Sequence, residues 1–379
     1  MISGTSGLVR PGLPVAVLIP LVACSGGQDA GESGTEGSEE KALNVYNWTD
    51  YIGGNTIADF EARTGIKVTY DTYDSNEVLE TKLLTGHTGY DVVFPTTTIV
   101  GRMAKIGVFR KLDKAKLPNL SNLDPEAMRQ IAVNDPGNEH AIAYTWGTTG
   151  LGYNPAMVTK ALGTDAIDSW SAVFDPATAS KLAKCGITML DAPEDVIESA
   201  EIYLGSDPGN EDVRELAAAE ELLVKVRPYV RAFDTTQHLS ALASGEICVS
   251  LSWSGLMHQA RTRGASAAKP VEVAYVIPKE GAPLYFDTVA IPADAPHPDN
   301  AHAFLNFLME PKVIAEITNE IGYANANTTS LPFVDAVFRD DPSVYPSREL
   351  REKLHVSKAR SQEYSRELNR AWTRIKTGQ

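Results

Sequence analysis

From Leu43 onward the hydrophobic positions switch repeatedly between a period of two and a period near 3.6. Leu43 and Val45 alternate against polar neighbours, which predicts a strand from Leu43 to Tyr46. Ile57 and Phe60, three apart, predict a helix from Thr56 to Thr64, with Gly65 as its stop. A strand from Ile66 to Tyr73 follows. Asp74-Ser75-Asn76-Glu77 resembles a capping box, which opens a helix through Leu84 closed by Gly86. Tyr90 to Phe94 is a short apolar strand that runs into Pro95-Thr96-Thr97-Thr98. This β-α-β-α-β order predicts a mostly parallel, doubly wound sheet.

The stretch from Ala141 to Asn154, after a loop-rich segment, is long, apolar and punctuated by glycines. A strand crossing between two domains fits it, with the glycines absorbing a bend; a β-hairpin fits the same pattern. Gly150-Leu151-Gly152 lacks the third glycine of a dinucleotide fingerprint. A second alternating block begins with a strand from Cys185 to Leu190 and a helix start at Asp191-Ala192-Pro193-Glu194. A helix from Asp212 to Val226 sets Val213, Leu216, Leu223 and Val226 on one face. Strands are predicted from Ile247 to Leu251, Val271 to Ile277 and Tyr285 to Ile291, and a helix over 300–319 with Phe304, Phe307, Leu308 and Ile314 in the core. From Arg348 the chain reads as charged helix. The 379 residues suffice for two domains with a large core.

The first forty residues follow none of these patterns. Arg10 precedes an apolar run from Leu13 to Ala23 that is too short to span a bilayer, and it reads as an export signal. Leu21-Val22-Ala23-Cys24 resembles a bacterial lipobox, which would make 1–24 a signal peptide, Cys24 the lipidated mature N-terminus, and 25–41 a Gly-, Ser- and Glu-rich tether. The alternative is an ordinary signal with an incidental cysteine. Export agrees with the remaining cysteines, since Cys185 and Cys248 form an isolated even pair outside any C-x-x-C; one disulfide is expected, with two buried free thiols as the alternative. A formal net charge of −15 argues against nucleic acid and anionic membranes as partners and is compatible with a cationic ligand.

Chemistry collects where strands end: Trp48, Thr49, Asp50, Tyr51, Thr96, Thr98, Asp195, Trp253, Tyr285, Asp287 and Tyr323. Open α/β sheets bind ligands at the carboxyl ends of their strands. Aromatic faces attract ammonium groups and cover methylenes, and carboxylates accept charge-assisted hydrogen bonds from them. Singly, each such residue is more often core or helix cap than ligand contact; their recurrence after separate strands points to a slender, cationic, partly aliphatic ligand. The scattered histidines, with no H-E-x-x-H pair, G-x-S-x-G elbow or P-loop, give no support to an enzyme, although a glycosidase-like carboxylate pair is defined only in space. Ferric iron through tyrosines, or a sugar through stacking, are rival ligands on the same architecture. An amino acid would need a cation for its carboxylate, and the strand-end clusters contain no Arg or Lys.

Six segments carry a family resemblance: Tyr46 to Ile52, Asp74 to Glu77, Tyr90 to Val93, Gly150 to Asn154, Ile277 to Gly281 and Tyr323 to Asn327. From about Leu43 to the C-terminus, and in family order, they resemble the periplasmic putrescine and spermidine receptors of bacterial ABC importers, closest to the putrescine-type branch. The resemblance implies an α/β, two-lobed periplasmic binding protein fold of type II, each lobe a mainly parallel sheet flanked by helices and hinged by crossing strands. Lobe 1 is expected over 43–148 and 286–331, lobe 2 over 149–285 and 332–379. It further implies a periplasmic monomer without catalysis, cofactor or metal, whose partners are a small cationic polyamine and the permease subunits. Sensing of another amine such as agmatine or cadaverine, uncoupled from uptake, would use the same fold.

Carried over by position, Trp48, Tyr51, Trp253, Tyr285 and Tyr323 line the aliphatic chain and Asp287 meets one terminal amine. Thr49, Asp50, Thr96 and Thr98 contact or flank the ligand, and Cys185 and Cys248 match the branch's disulfide. The chain departs from the pattern at two places. Leu256 stands where putrescine-type members carry Asp in a Trp-x-Gly-Asp run, and the shorter Asp195 stands where most have Glu. Both changes fall at the distal amine, so an altered preference among polyamines is expected.

Overall fold

The computed structural model describes residues 40–378; the expected leader, Cys24 and nearly all of the tether lie outside the described residues. The strands are β1 (Ala42–Trp48), β2 (Lys67–Tyr73), β3 (Val92–Val93), β4 (Ala141–Tyr153), β5 (Ile187–Met189) and β6 (Val230–Phe233). After them come β7 (Val249–Trp253), β8 (Ala274–Val276), β9 (Ala282–Ala290), β10 (Ala324–Asn325) and β11 (Leu354–Val356). They hydrogen-bond in the order β2-β1-β3-β9-β4-β7-β5-β6, with β8 and β10 on β4 and β11 on β9. Pairing is parallel where β-α-β crossovers build the sheet, in β2-β1-β3 at one end and β7-β5-β6 at the other. The strands between these two groups run antiparallel.

β4 decides the architecture. Its first part, from Ala141 to Thr148, pairs with β9, and its last part, from Thr149 to Tyr153, pairs with β7. It is therefore one crossing strand of 13 residues and not a hairpin. Tyr144 belongs to a core built from Val45, Phe60, Phe94, Phe286 and Phe304. Leu151, on the same strand, belongs to a second core with Trp170, Phe174, Leu223, Val249 and Trp372. Two cores strung on one strand make the molecule two-lobed.

The glycines of β4 do not absorb a bend, since Gly147, Gly150 and Gly152 all avoid positive φ. They make room. A methyl at Gly150 would lie 2.5 Å from the Tyr275 hydroxyl and 2.6 Å from the Val276 carbonyl oxygen of β8. Because the second neighbour is backbone, Gly150→Ala is expected to cost about 1–3 kcal/mol, the range for overpacking. A lower urea midpoint with unchanged slope would report it, and a wild-type midpoint would mean that β8 yields freely.

Other elements follow the sequence with local changes. The helix Thr56–Thr64 forms as expected, and Gly65 closes it at φ 71°. In the next helix, Asn76–Leu84, the cap is Ser75, which accepts a 3.2 Å bond from the Val78 N–H; Asp74 and Glu77 form no capping box. Val213 is 56% exposed, one turn ahead of the buried stripe Leu216, Ala219, Leu223 and Val226. The helix expected over 300–319 is two, Pro298–Leu308 and Pro311–Ile321, because proline at 311 cannot continue a helix but starts one well. The C-terminal region divides into Arg348–Arg351, β11 and the helix Gln362–Thr377. Cys185 and Cys248, 63 residues apart, are joined as a disulfide.

Candidate functional site

Trp48 ends β1 with its indole N–H donating to the Phe94 carbonyl at 2.8 Å and its ring 4.8 Å from that of Tyr73. The chain then turns. Asp50 takes φ 54° and stays exposed, while Tyr51 is buried. The Tyr51 hydroxyl donates to Asp287 Oδ2 at 2.6 Å and lies 2.8 Å from Thr145 Oγ1. Asp287 sits within β9 opposite Thr145 of β4 and is 5% exposed. Its other oxygen, Oδ1, is buried without a hydrogen-bond partner. Burial pushes the Asp287 pKa up to about 7; the Tyr51 bond opposes the rise and the charge of Asp195 adds to it.

The second carboxylate belongs to the other core. Asp195 lies in the first turn of the helix Pro193–Leu204, where the helix dipole favours negative charge. Its Oδ1 accepts from Thr149 Oγ1 at 2.6 Å and from the Trp253 indole N–H at 2.8 Å. Burial raises its pKa, and these two bonds counter the rise. Trp253 ends β7 with its ring 6.4 Å from Tyr285, while Tyr323 meets Tyr51 edge-on at 5.0 Å. Aromatic rings thus run from one held carboxylate to the other.

Between them is a cavity of ≈ 330 Å³. Trp48, Thr49, Tyr51, Thr96, Thr98, Asp195, Trp253, Leu256, Tyr285, Asp287 and Tyr323 all line it, and Asp50 does not, because the turn after β1 directs position 51 inward and position 50 to solvent. Thr96 occupies the N-cap position of the helix Thr97–Met103 without making a cap bond. Its hydroxyl instead reaches Asn76 Oδ1 at 3.3 Å and Thr98 Oγ1 at 3.1 Å. The predicted set missed Tyr73, Asp74, Asn76, Thr97, Glu194, Thr235, Thr236 and Ser357. Asp74 and Glu194 lie in stretches that read as helix starts, and Ser357 lies in a region that reads as charged helix. Thr149, which orients Asp195, carried no signal at all.

The lining contains four carboxylates, Asp74, Glu194, Asp195 and Asp287, and no Lys, Arg or His. Such a cavity favours a cation and disfavours any ligand with a carboxylate or phosphate. Aromatic faces beside the acids suit an ammonium carried on methylenes. Among the described residues no group of His, Cys, Asp and Glu is arranged to hold a metal ion.

The family model for bacterial extracellular solute-binding proteins matches residues 55–346. The putrescine-binding periplasmic protein SpuD of Pseudomonas aeruginosa is 48% identical over 90% of this chain and 94% of its own. The putrescine-binding periplasmic protein PotF of Escherichia coli is 45% identical over 91% and 94%. Among solved structures, the spermidine/putrescine ABC transporter substrate-binding protein PotD of Streptococcus pneumoniae superposes with a TM-score of 0.77 at 26% identity, covering 89% of this chain and 99% of that one. The chain belongs to the bacterial extracellular solute-binding proteins, receptors rather than enzymes, on a two-lobed α/β scaffold.

Proposed function

We propose that this protein is a periplasmic receptor that captures a polyamine, putrescine or a longer amine such as spermidine, and delivers it to an ABC importer. The observation that carries this reading is the aromatic cavity with four carboxylates and no basic side chain, in which Asp287 Oδ1 is buried and lacks a donor. An ammonium group supplies that donor. Its volume lies at the small end of ligand pockets, about 300–1,000 Å³, as a slender chain requires. Asp287 and Asp195 take the terminal amines, Thr49, Thr96 and Thr98 flank the ligand, and the rings of Trp48, Tyr51, Trp253, Tyr285 and Tyr323 cover the methylenes.

The receptor acts as a monomer whose lobes close over the ligand about the crossing strands. The lobes divide within β4 and β9, with 43–148 and 286–331 in the first and 149–285 and 332–379 in the second, except that 334–345 goes with the first, because Val334, Phe338 and Val344 pack with Ala315 and Ala324. Isothermal titration calorimetry against putrescine, cadaverine, agmatine, spermidine and spermine tests the ligand class. One-to-one binding at micromolar affinity or better to any of them supports it, and silence across the panel removes it.

Leu256, in the first turn of the helix Ser254–Ala265, lines the cavity beside Trp253 with no charge to offer. Leu256→Asp is expected to tighten putrescine about tenfold, the low end of what a hydrogen bond to a charged group supplies. Calorimetry that finds no gain would mean that the distal amine lies elsewhere.

A further inference from the structure

A second cavity of ≈ 700 Å³ adjoins the first and shares Trp48, Asp74, Asn76, Thr98, Asp195 and Trp253 with it. It is also shared at Glu194, and beyond that point the electrostatics change. Where the ligand cavity has no basic side chain, this annex has Arg102, Lys105 and Arg360 beside Glu77 and Glu80. Arg102 is the one that spans it. Its Nη2 lies 3.1 Å from Glu80 Oε2, on the helix Asn76–Leu84, and its Nη1 lies 3.5 Å from Glu194 Oε1, on the helix Pro193–Leu204 of the other lobe. The guanidinium and both carboxylates are about two-thirds buried or more, with side-chain exposures of 27%, 27% and 33%.

A diamine needs only the carboxylates inside the ligand cavity. A triamine brings a further ammonium, and the acids it meets on leaving that cavity are Glu194 at the shared border and Glu77, Glu80 and Asp191 in the annex. Glu194 and Glu80 are already matched by Arg102, whose charge Glu77 also meets, and Asp191 by Lys376, so an arriving ammonium meets like charge at short range in a partly desolvated place. We infer that Arg102 is a specificity-determining residue, whose guanidinium fills the acidic annex and biases the receptor toward diamines over longer polyamines. The inference rests on the polyamine-receptor reading and deepens it.

The test is titration calorimetry of putrescine and spermidine with wild type, Arg102→Gln, Arg102→Lys and the double variant Arg102→Gln/Glu80→Gln. Arg102→Gln should raise spermidine affinity relative to putrescine at least tenfold. Arg102→Lys keeps the positive charge and should keep the wild-type ratio. Glu80→Gln on the Arg102→Gln background should take back part of the spermidine gain. An unchanged ratio in Arg102→Gln, with both ligands weakened alike, would overturn the inference and leave Arg102 as a bridge between lobes. In that outcome wild-type binding still stands and so does the receptor reading. Wild-type protein that binds neither amine would overturn both.

Discussion

Asp287→Asn is expected to weaken amine binding by about two to three orders of magnitude and, at pH 8, to make the unliganded protein more stable. The binding loss follows from the buried, partnerless Oδ1 and the charge behind it, since breaking a buried ion pair costs about 3–5 kcal/mol. The stability gain follows from the pKa, pushed up to about 7 by burial. An unfolded Asp titrates near 3.9, so between about pH 4 and 7 the native state holds a proton that the unfolded state has released. Native stability therefore falls as pH rises through that window, and by pH 8 the buried charge costs up to about 4 kcal/mol, three pKa units. Asparagine carries no such charge. Calorimetric melting of both proteins should show the variant ahead at pH 8 and the gap shrinking steadily as pH falls toward 4; a gap that does not change with pH would contradict the assignment. The same proton couples to function. Ammonium binding requires the carboxylate, so wild-type affinity should fall below pH 7, approaching about tenfold per unit, with proton release on binding at pH 6.

Removing the disulfide should have the next largest effect, on stability alone. Cys185 and Cys248 close a loop of 63 residues. In the chain-entropy model, that closure stabilises the fold by about 4 kcal/mol. The bond joins the approaches to β5 and β7, linking a partly buried cysteine to a buried one in the second core, and neither lines the ligand cavity. The double variant Cys185→Ser/Cys248→Ser should show a much lower denaturant midpoint, with amine affinity within about threefold of wild type. Wild type under reducing conditions should behave like the variant. Equal midpoints would show that the bond adds nothing, and lost affinity would show that it positions Trp253 at the end of β7.

The strand-helix alternation was legible because each element buries one face, and burial writes its period into the residues. Thr56–Thr64, with Ile57, Phe60 and Gly65, came out of the pattern unchanged. The acid and aromatic residues after Trp48, β7 and within β9 were legible as chemistry, because carboxylates and rings at strand ends recur beyond what a core needs. Which of them face the ligand was not. Asp50 and Tyr51 are neighbours of equal promise, and only the turn after β1 sends one to solvent and the other to Asp287. Asp74 and Glu194 carry the same residue types as helix caps do, so their second role as cavity walls had no separate signal.

The sequence by itself determined most of the elements, the paired cysteines and the acidic-aromatic character of the site, since each is a property of local composition and period. The tertiary structure alone decided that β4 is a single strand shared by two cores, that its glycines serve close approach to Tyr275, Met257 and Tyr285, and that Thr149 and Trp253 hold Asp195. It alone set Arg102 between Glu80 and Glu194. These are contacts between residues tens to hundreds of positions apart. No local pattern encodes them, because what brings the partners together is the packing of whole elements, and the period of a segment reports only which of its faces is buried.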